Sequence, residues 1–293
     1  MKKLFKYVTH IAYRIANMSK FHSDLKHKLE PTFHPAAKLL FYPKLTAKEK
    51  AQSKIIESFR PQVPKLLADK ELYNYSSPKS NTFEKDESGL AVPGPYEKKD
   101  PKKILNAATA SMKGTLLKRI VEGGNCKRVL ELGTHVGFSG CYLLSVDGLH
   151  LTTIDGSEAE TEVARKNLAR ISDRFEVINQ LFDQTLEELI KKGEKFDCVY
   201  IDGQHEKEAT IYYQERVKPL LTDQAVIIHD DIYFSNGMHE AWHEVSSQKE
   251  ITQAMDLFWV GVCLYDKAND GTQKEAFDIG HYFPRPKIYY GDM

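Results

Sequence analysis

From residue 100 onward, short apolar segments alternate with longer amphipathic segments, and this alternation limits the possible folds more than any other feature. Five apolar segments have the length of buried strands: 128–132, 150–154, 175–178, 198–201 and 225–228. Helix-like segments lie between them, at 157–170, 185–192 and 206–220. A strand followed by a helix, repeated several times, predicts a parallel sheet with helices on both faces.

The end of the chain alternates differently. Residues 257–265 and 276–283 have the pattern of two strands, and Asn269-Asp270-Gly271 is a turn sequence between them. We therefore expect an antiparallel hairpin that closes the sheet. The predicted fold class is α/β: a Rossmann-like, doubly wound, mostly parallel seven-stranded sheet with a C-terminal antiparallel hairpin.

The first hundred residues differ in charge and in pattern. They contain 19 Lys and Arg but 11 Asp and Glu, whereas the remainder contains 22 and 30. Prolines separate helix-like pieces such as 46–59, and residues 74–101 have linker composition. We predict a helical N-terminal extension and linker at 1–100 and the α/β domain at 101–293.

The first helix of this extension is basic and amphipathic, with apolar residues at helical spacing between Leu4 and Ile15. Two interpretations stay open: docking on the protein's own core, or contact with a membrane surface or a partner.

Composition excludes several classes of protein. The longest charge-free run, 132–146, has fifteen residues, and a membrane-spanning helix needs about 20. A net charge of zero argues against a dedicated nucleic-acid binder. Four widely spaced cysteines without a C-x-x-C pair favour a reducing, cytoplasmic compartment over a disulfide scaffold.

The turn after the first strand has the sequence V-L-E-L-G-T-H-V-G-F-S at 129–139. Gly133 and Gly137 allow a tight turn and a close approach of a ligand to the backbone. Their G-x-x-x-G spacing lacks the dinucleotide pattern G-x-G-x-x-G, which disfavours an NAD-dependent dehydrogenase. Glu131 would repel a diphosphate but can support a cation, such as the sulfonium and ammonium groups of S-adenosylmethionine.

The next two strand ends supply further polar groups. Asp155, followed by Gly156, lies at the tip of the second strand, where a carboxylate can accept hydrogen bonds from ribose hydroxyls. After the third strand, Phe182 can flank a purine ring and Asp183 can reach its exocyclic amine. The alternative for Asp183 is a cap of the following helix.

These motifs resemble those of the class I S-adenosylmethionine-dependent methyltransferases over residues 104–285. Within the class, the 129–139 sequence and Met112-Lys113-Gly114 resemble catechol O-methyltransferase. The resemblance implies that Glu131, Gly133, Gly137 and Ser139 line the methionine end of the cofactor, that Asp155 holds the ribose, and that the segment from Thr109 to Met112 covers the sulfonium. The predicted cofactor-binding residues are Glu131, Gly133, Thr134, Gly137, Ser139, Asp155, Gly156, Phe182 and Asp183.

The fourth and fifth strands end in acidic residues. I-D-G-Q-H supplies Asp202 and His205, and I-I-H-D-D supplies Asp230 and Asp231. Because the ends of neighbouring parallel strands converge, three carboxylates there need a positive partner, and Mg²⁺ prefers oxygen ligands. We predict a Mg²⁺ site of Asp202, Asp230 and Asp231. The alternative is a set of strand-end caps, and His229 is interpreted as a core residue.

The same strand ends hold the metal in catechol- and macrocin-type O-methyltransferases, which this part of the chain resembles. The Asp-Asp pair is closer to the macrocin type, because the catechol type has Asn at position 231 and Lys at position 205. The resemblance implies chelation of an acceptor hydroxyl, with Asp202 and His205 as catalytic residues and His205 as general base. Tyr233, Phe234 and Trp242 either line the acceptor site or pack the following helix.

The sequence therefore predicts an S-adenosylmethionine- and Mg²⁺-dependent O-methyltransferase of a small-molecule hydroxyl, either catechol-like or a sugar or natural product. Two alternatives remain: a metal-independent methyltransferase of another acceptor class, and a non-catalytic cofactor-binding module. A nucleic-acid methyltransferase is disfavoured because the N/D-P-P-Y/F motif of base amino-methyltransferases is missing after the fourth strand. A homodimer is left open.

Overall fold

The computed structural model describes residues 2–74, 84–85, 87, 91–92, 97–98, 100 and 103–282, and it describes side chains for residues 15–72, 87, 100 and 103–282. Three predictions therefore fall outside it in part: the apolar face between Leu4 and Ile11, most of the 74–101 linker, and the strand end at Phe283.

An eight-stranded sheet forms the centre of the described structure. Its strands are β5 (Arg128–Leu132), β6 (His150–Asp155), β7 (Phe175–Asn179), β8 (Phe196–Ile201), β9 (Leu221–Asp230), β10 (Ile251–Asp256), β11 (Val260–Asp266) and β12 (Glu275–Asp278). They lie in the order β12-β10-β11-β9-β8-β5-β6-β7. The five strands from β9 to β7 in this order are parallel, while β11 is antiparallel to β9 and to β10. The predicted α/β class with a mostly parallel sheet is confirmed.

Helices precede the sheet and connect its strands. Four belong to the first seventy residues: α1 (Lys2–Lys28), α2 (His34–Phe41), α3 (Ala47–Glu57) and α4 (Val63–Leu66). The others are α5 (Ile104–Ala107), α6 (Ser111–Gly123), α7 (Phe138–Leu144), α8 (Glu158–Leu168), α9 (Phe182–Lys192), α10 (Lys207–Val217) and α11 (Asn236–Ser246). Between the two groups, the two-residue strands β1 (Tyr73–Asn74) and β2 (Glu84–Lys85) pair with β4 (Glu97–Lys98) and β3 (Ala91–Val92).

Two details of the predicted sheet are wrong. It has eight strands instead of seven, because β10 was missed, and the hairpin joins β10 to β11 instead of the last two strands. The chain reverses at residues 257–259, where Phe258 has a φ of +64° and the Leu257 N–H donates to the Val260 carbonyl over 3.0 Å. β12 instead pairs in parallel with β10 at the sheet edge.

The register of the parallel strands brings four strand ends to one edge. Leu132 of β5 is paired with Ile154 of β6 on one side and with Ile201 of β8 on the other. Ile201 is in turn paired with His229 of β9. The residues that follow these positions therefore lie side by side at the carboxyl edge of the sheet, where ligands bind in open α/β folds.

The N-terminal helices pack against the sheet domain. Phe21, Phe41 and Ile56 belong to the same buried apolar cluster as Val129 and Leu151 of the sheet. A nearly buried ion pair adds to this contact, because Arg119 Nε of α6 lies 2.7 Å from Glu49 Oε1 of α3. None of the helices in the described ranges is long and apolar enough to cross a membrane.

Candidate active site

Gly133 forms the turn after β5 and joins two parts of the carboxyl edge. Its φ of +108° is a conformation that side-chain-bearing residues rarely adopt, and an added Cβ would lie 1.8 Å from the Asp202 carbonyl oxygen. The Gly133 N–H donates to the Ile154 carbonyl, and the Asp202 N–H donates to the Leu132 carbonyl, both over 2.9 Å. The first turn therefore touches the end of β8, and only glycine fits between them.

Gly137 allows the chain to enter α7. It has a φ of +81° and lies at the N-cap of that helix, where an added Cβ would be 3.1 Å from Ala164 of α8. This tight entry places Ser139 in the buried first turn of α7, next to Glu131.

Glu131 is a fully buried carboxyl group held by neutral donors. The Thr153 hydroxyl donates to Glu131 Oε2 over 2.7 Å, and the Thr134 hydroxyl lies 2.7 Å from that of Thr153. Burial raises the pKa of Glu131 to about 8, although hydrogen bonds from Ser139 and Thr153 lower it. Glu131 Oε1 is buried and has no hydrogen-bond partner among the described residues.

Asp155 lies at the tip of β6 and is half-buried, as is Gly156. Its Oδ2 accepts the His135 N–H over 2.8 Å, and its Oδ1 accepts the Ser157 N–H over 2.9 Å. Glu131, Thr134, Thr153 and Asp155 are called the first-turn network below. Thr134 is fully buried, so its hydroxyl contacts Thr153 inside the network and does not face solvent.

The two residues predicted to contact a purine separate in the structure. The ring of Phe182 packs against Gly203, just after β8, so that an added Cβ there would lie 2.6 Å from Phe182 Cε2. Asp183 instead accepts the Tyr212 hydroxyl of α10 over 2.7 Å, and its Oδ1 lies 3.4 Å from Arg216 Nε. Its carboxylate is thus already engaged with α10.

The predicted convergence of the β8 and β9 ends is confirmed. Ligand atoms of Asp202, His205 and Asp230 all lie within 4.8 Å of one another. His205 Nε2 is 3.7 Å from Asp202 Oδ1 and 4.0 Å from Asp231 Oδ2. We call these four residues the carboxylate cluster. Asp231 turns towards it with a φ of +48°.

Lys113 contacts this cluster, and the sequence analysis did not assign it a role. Its Nζ donates to Asp230 Oδ2 over 2.6 Å and to Asp231 Oδ1 over 3.1 Å. Burial alone would lower the pKa of Lys113, but the charges of Asp230, Asp202 and Asp231 outweigh burial and raise it. The Met112-Lys113-Gly114 resemblance was a signal that this segment belongs to the site.

The position of Lys113 follows from how α6 is anchored. Lys113 is the third residue of that helix. The Ser111 hydroxyl lies 2.6 Å from the Ser53 hydroxyl of α3, and the Arg119–Glu49 ion pair holds the next turns. The N-terminal helices therefore hold the start of α6 over the ends of β8 and β9.

The cluster concentrates negative charge in a poorly solvated place. Burial and the Asp202 charge raise the pKa of Asp230 to about 7, although Lys113 lowers it. Burial also raises the pKa of Asp202 and of Asp231. The Tyr200 hydroxyl donates to Asp202 Oδ2 over 3.0 Å, whereas Asp230 Oδ1 is buried and accepts no hydrogen bond from any described residue.

The surrounding rings divide into site and core. The Phe234 ring lies 5.2 Å from the His205 ring, at the rim of the cluster. Tyr233 and Trp242 are instead buried in the core: the Tyr233 hydroxyl donates to Asp256 over 2.6 Å, and Trp242 packs under Gly261.

His229 points away from the cluster, as its interpretation as a core residue required. Its Nε2 lies 2.6 Å from Gln214 Oε1, and burial lowers the pKa of His229 to about 3.

Residues 130–232, which include both the first turn and the carboxylate cluster, match the family model described as a methyltransferase domain. This part of the chain is therefore similar to methyltransferase domains. A curated relative, the catechol O-methyltransferase of Mycobacterium tuberculosis (strain ATCC 25618 / H37Rv), is 32% identical over 143 residues. That alignment covers 47% of this chain and 63% of the relative, so the chain spans less than two thirds of the relative's length.

Solved structures similar to this chain include an O-methyltransferase from Bacillus cereus in complex with SAH, with a TM-score of 0.48 and 22% identity over 58% of this chain and 92% of that chain. Another is the O-methyltransferase TomG from Streptomyces achromogenes, involved in tomaymycin synthesis and solved in complex with SAM, with a TM-score of 0.43 and 17% identity over 57% and 91% of the two chains.

Proposed function

We propose that this protein is an S-adenosylmethionine-dependent O-methyltransferase that methylates a hydroxyl group of a small molecule with the help of a divalent cation. The observation that carries the proposal is the contact of Gly133 with Asp202. It joins a buried carboxyl group suited to a cationic ligand to a cluster suited to a metal ion and a general base. The curated relative, a catechol O-methyltransferase, supports the reaction class.

The first-turn network fits the amino-acid end of the cofactor. Glu131 Oε1 is buried without a hydrogen-bond partner in the described structure, and an ammonium group can supply one. Gly133, Gly137 and Ser139 would line this end, and Asp155 would accept ribose hydroxyls. Gly156 and Phe182 would complete the adenosine side. For Asp183, whose carboxylate contacts Tyr212 and Arg216 of α10, this role stays a prediction. Bound S-adenosylmethionine supplies the methyl group and leaves as S-adenosylhomocysteine.

The carboxylate cluster fits a divalent cation. Asp230 Oδ1 is buried and without a hydrogen-bond partner among the described groups, and a carboxylate oxygen of Asp230 lies within 4.8 Å of ligand atoms of Asp202 and His205. We assign Asp202, Asp230 and Asp231 to the metal, with Mg²⁺ as the first choice. An imidazole in reach also suits Mn²⁺ or a softer ion. The cation would lower the pKa of an acceptor hydroxyl.

His205 is the proposed general base. Its ring lies at the rim of the cluster beside Phe234, and the carboxylates of Asp202 and Asp231 face its Nε2. An imidazole so placed can accept the proton of an acceptor hydroxyl bound at the cluster. The resulting oxyanion is the nucleophile for the methyl group, and Asp202 and Phe234 fix its position. The proposed acceptors are catechols, sugars and natural products with a hydroxyl group.

We also propose that residues 101–293 form the methyltransferase unit and that residues 1–100 form its helical extension. The four cysteines are all free and buried, which supports a reducing, cytoplasmic location. A homodimer and contact of α1 with a membrane surface stay predictions.

A second candidate is a metal-independent methyltransferase. The observation that favours it is Lys113, whose ammonium supplies the cluster with a positive charge of its own. In that enzyme, Lys113 would replace the metal as the counter-charge, and His205 alone would activate the acceptor.

Calorimetric titration with S-adenosylhomocysteine in EDTA tests the cofactor, and turnover of a catechol with Mg²⁺, Mn²⁺ or EDTA tests the metal. We expect micromolar binding in EDTA and turnover that requires a divalent ion. Asp202→Ala should abolish the metal-dependent turnover and keep the binding. Asp147→Ala, at a side chain 97% exposed, is the control.

Three results would change this assignment. Full turnover in EDTA would favour the metal-independent enzyme. Binding without turnover of any acceptor in a broad panel would favour the non-catalytic module. An absence of binding in every condition would contradict the cofactor assignment itself.

A further inference from the structure

The cation that faces the carboxylate cluster belongs to the chain itself. Lys113 Nζ lies 2.6 Å from Asp230 Oδ2 and 3.1 Å from Asp231 Oδ1, which are two of the three carboxylates assigned to a metal. A divalent ion on either carboxylate would therefore lie within a few ångströms of the ammonium. Two cations at this distance repel strongly where little water screens them.

The lysine fills only part of the cluster. It donates to Asp230 Oδ2 and not to Oδ1, and Oδ1 is buried without a hydrogen-bond partner in the described ranges, in a side chain only 2% exposed. Ligand atoms of Asp202 and His205 lie within 4.8 Å of a carboxylate oxygen of Asp230, and neither residue is hydrogen-bonded to Lys113. The cluster thus retains donors that a metal ion can use and that Lys113 does not satisfy.

The Lys113 side chain can leave the carboxylate cluster for solvent. It extends from the first turn of α6, it is 18% exposed, and a flexible four-carbon stem separates its ammonium from the backbone. The ammonium can move into water by rotation about these bonds, without displacement of α6. Because Ser53 and Glu49 anchor α6, the backbone of Lys113 stays in place, and the ammonium can return to the cluster by side-chain rotation alone.

We propose that Lys113 is an intramolecular competitor for the divalent cation: its ammonium and the metal ion are alternative occupants of the carboxylate cluster. This inference rests on the metal site of the proposed function. In the metal-free protein, Lys113 neutralises part of the charge of Asp230 and Asp231. Metal loading displaces it towards solvent, and the repulsion between the two cations keeps the metal affinity below what the carboxylates alone would give.

The first test measures Mn²⁺ binding by electron paramagnetic resonance on the EDTA-treated full chain at one fixed pH. We expect Lys113→Met to lower the apparent Kd for Mn²⁺ at least tenfold relative to the wild type. Lys118→Met is the matched control, because Lys118 is a buried lysine of the same helix that pairs with Glu122 and not with the cluster. It should bind Mn²⁺ as the wild type does. An unchanged or weaker affinity in Lys113→Met would overturn the competition.

The second test needs no substitution, so it holds even if Lys113→Met does not fold. The wild type is acetylated with a water-soluble ester, and each lysine is followed by mass spectrometry, with and without saturating Mn²⁺. We expect Mn²⁺ to raise the acetylation rate of Lys113 at least threefold and to leave that of Lys118 unchanged. An equal or slower rate at Lys113 would show that the metal does not displace it.

S-Adenosylhomocysteine binding in EDTA separates this inference from the proposed function. If the wild type binds S-adenosylhomocysteine and Mn²⁺, but Lys113 affects neither the Mn²⁺ affinity nor its own labelling, only the competition is contradicted. If it binds S-adenosylhomocysteine while no variant binds Mn²⁺, both the metal site and the competition fall. If it binds neither, the proposed function falls as well.

Discussion

The first-turn network and the carboxylate cluster lie next to each other at the carboxyl edge of one sheet, and both hold buried acidic groups. They differ in what stabilises those acids. Glu131 and Asp155 accept hydrogen bonds from hydroxyl groups and backbone N–H groups. Asp230 and Asp231 contact the ammonium of Lys113.

This difference has chemical consequences. Burial raises the pKa of Glu131 to about 8, and its neutral donors do not offset this rise, so the group is ready to ionise when a cationic ligand arrives. An internal cation instead balances charge before any ligand binds, and a second cation must then compete with it. The two parts of the edge therefore respond in different ways to pH, to ligands and to substitution.

The largest effect is expected where the two parts touch. Gly133→Ala places a Cβ 1.8 Å from the Asp202 carbonyl oxygen at a φ of +108°. We expect a loss of at least ~3 kcal/mol in the free energy of unfolding, from overpacking and backbone strain together. Urea unfolding measures it.

Gly148→Ala is the matched control for this substitution. Gly148 has a φ of +75°, but no described atom lies within 4 Å of the added Cβ. It should lose only the strain contribution, roughly 1 kcal/mol. Equal losses in the free energy of unfolding of both variants would mean that the contact between Gly133 and Asp202 tolerates an added Cβ.

Lys113→Met tests whether charge stabilises the carboxylate cluster. Asp230 would lose its cation, and we expect a loss of about 2.5 kcal/mol at pH 8, less than for a fully buried pair because Lys113 is 18% exposed. At pH 5 the loss should shrink, since Asp230, with a pKa raised to about 7, is then protonated in the folded wild type. Urea unfolding of the metal-free protein at both pH values measures this.

Lys118→Met should change little at either pH, because its partner Glu122 is 44% exposed. A pH-independent loss in Lys113→Met would mean that packing of the lysine stem, and not its charge, stabilises the cluster.

Glu131→Gln tests whether the Glu131 carboxyl, which only neutral donors contact in the free protein, ionises when an ammonium ligand binds. Because its pKa is about 8, Glu131 is protonated in the free protein at pH 7, and an ammonium ligand favours the ionised form. Binding of S-adenosylhomocysteine should then release a proton, and its affinity should rise with pH from 6 to 8. Calorimetry in two buffers of different ionisation enthalpy measures the release.

The Gln variant should lose the proton release and about 1.5 kcal/mol of binding free energy at pH 8. Glu122→Gln, at the exposed carboxyl of α6, is the control and should bind as the wild type does. A pH-independent affinity in the wild type would contradict the assigned contact between Glu131 and the ammonium.

The smallest of these effects is expected at Asp155. Asp155→Ala removes a carboxylate that already accepts two backbone N–H groups, so we expect about 1 kcal/mol of lost affinity for S-adenosylhomocysteine. Asp155→Asn keeps one acceptor oxygen and should lose less. Calorimetry at one pH is sufficient, and an unchanged affinity in Asp155→Ala would remove Asp155 from the cofactor site.

Local patterns in the sequence determined the parallel core of the fold and the edge at which the site lies. Alternation of apolar and amphipathic segments identified β5 to β9, because strands in the interior of a parallel sheet are buried on both faces. The edge strand β7 is only partly buried. Spacing also predicted that Asp202 and Asp230 would meet, since the ends of adjacent parallel strands share an edge. Gly133 and Gly137 were recognised because a tight turn needs their conformations.

Tertiary structure decided what the pattern could not. The run at 257–265 was apolar throughout, so nothing local revealed that the chain reverses at Phe258 and pairs β11 with the missed β10. Asp183 was assigned from its position after β7, but packing of α10 places Tyr212 against it.

Lys113 is the clearest case. It precedes Asp230 by more than a hundred residues, and the packing of α6 against neighbouring helices, α3 among them, brings its ammonium to the cluster. The sequence could state that three converging carboxylates need a positive charge. Which cation supplies it depends on long-range packing, because an ion pair between distant elements leaves no periodic signal in the chain.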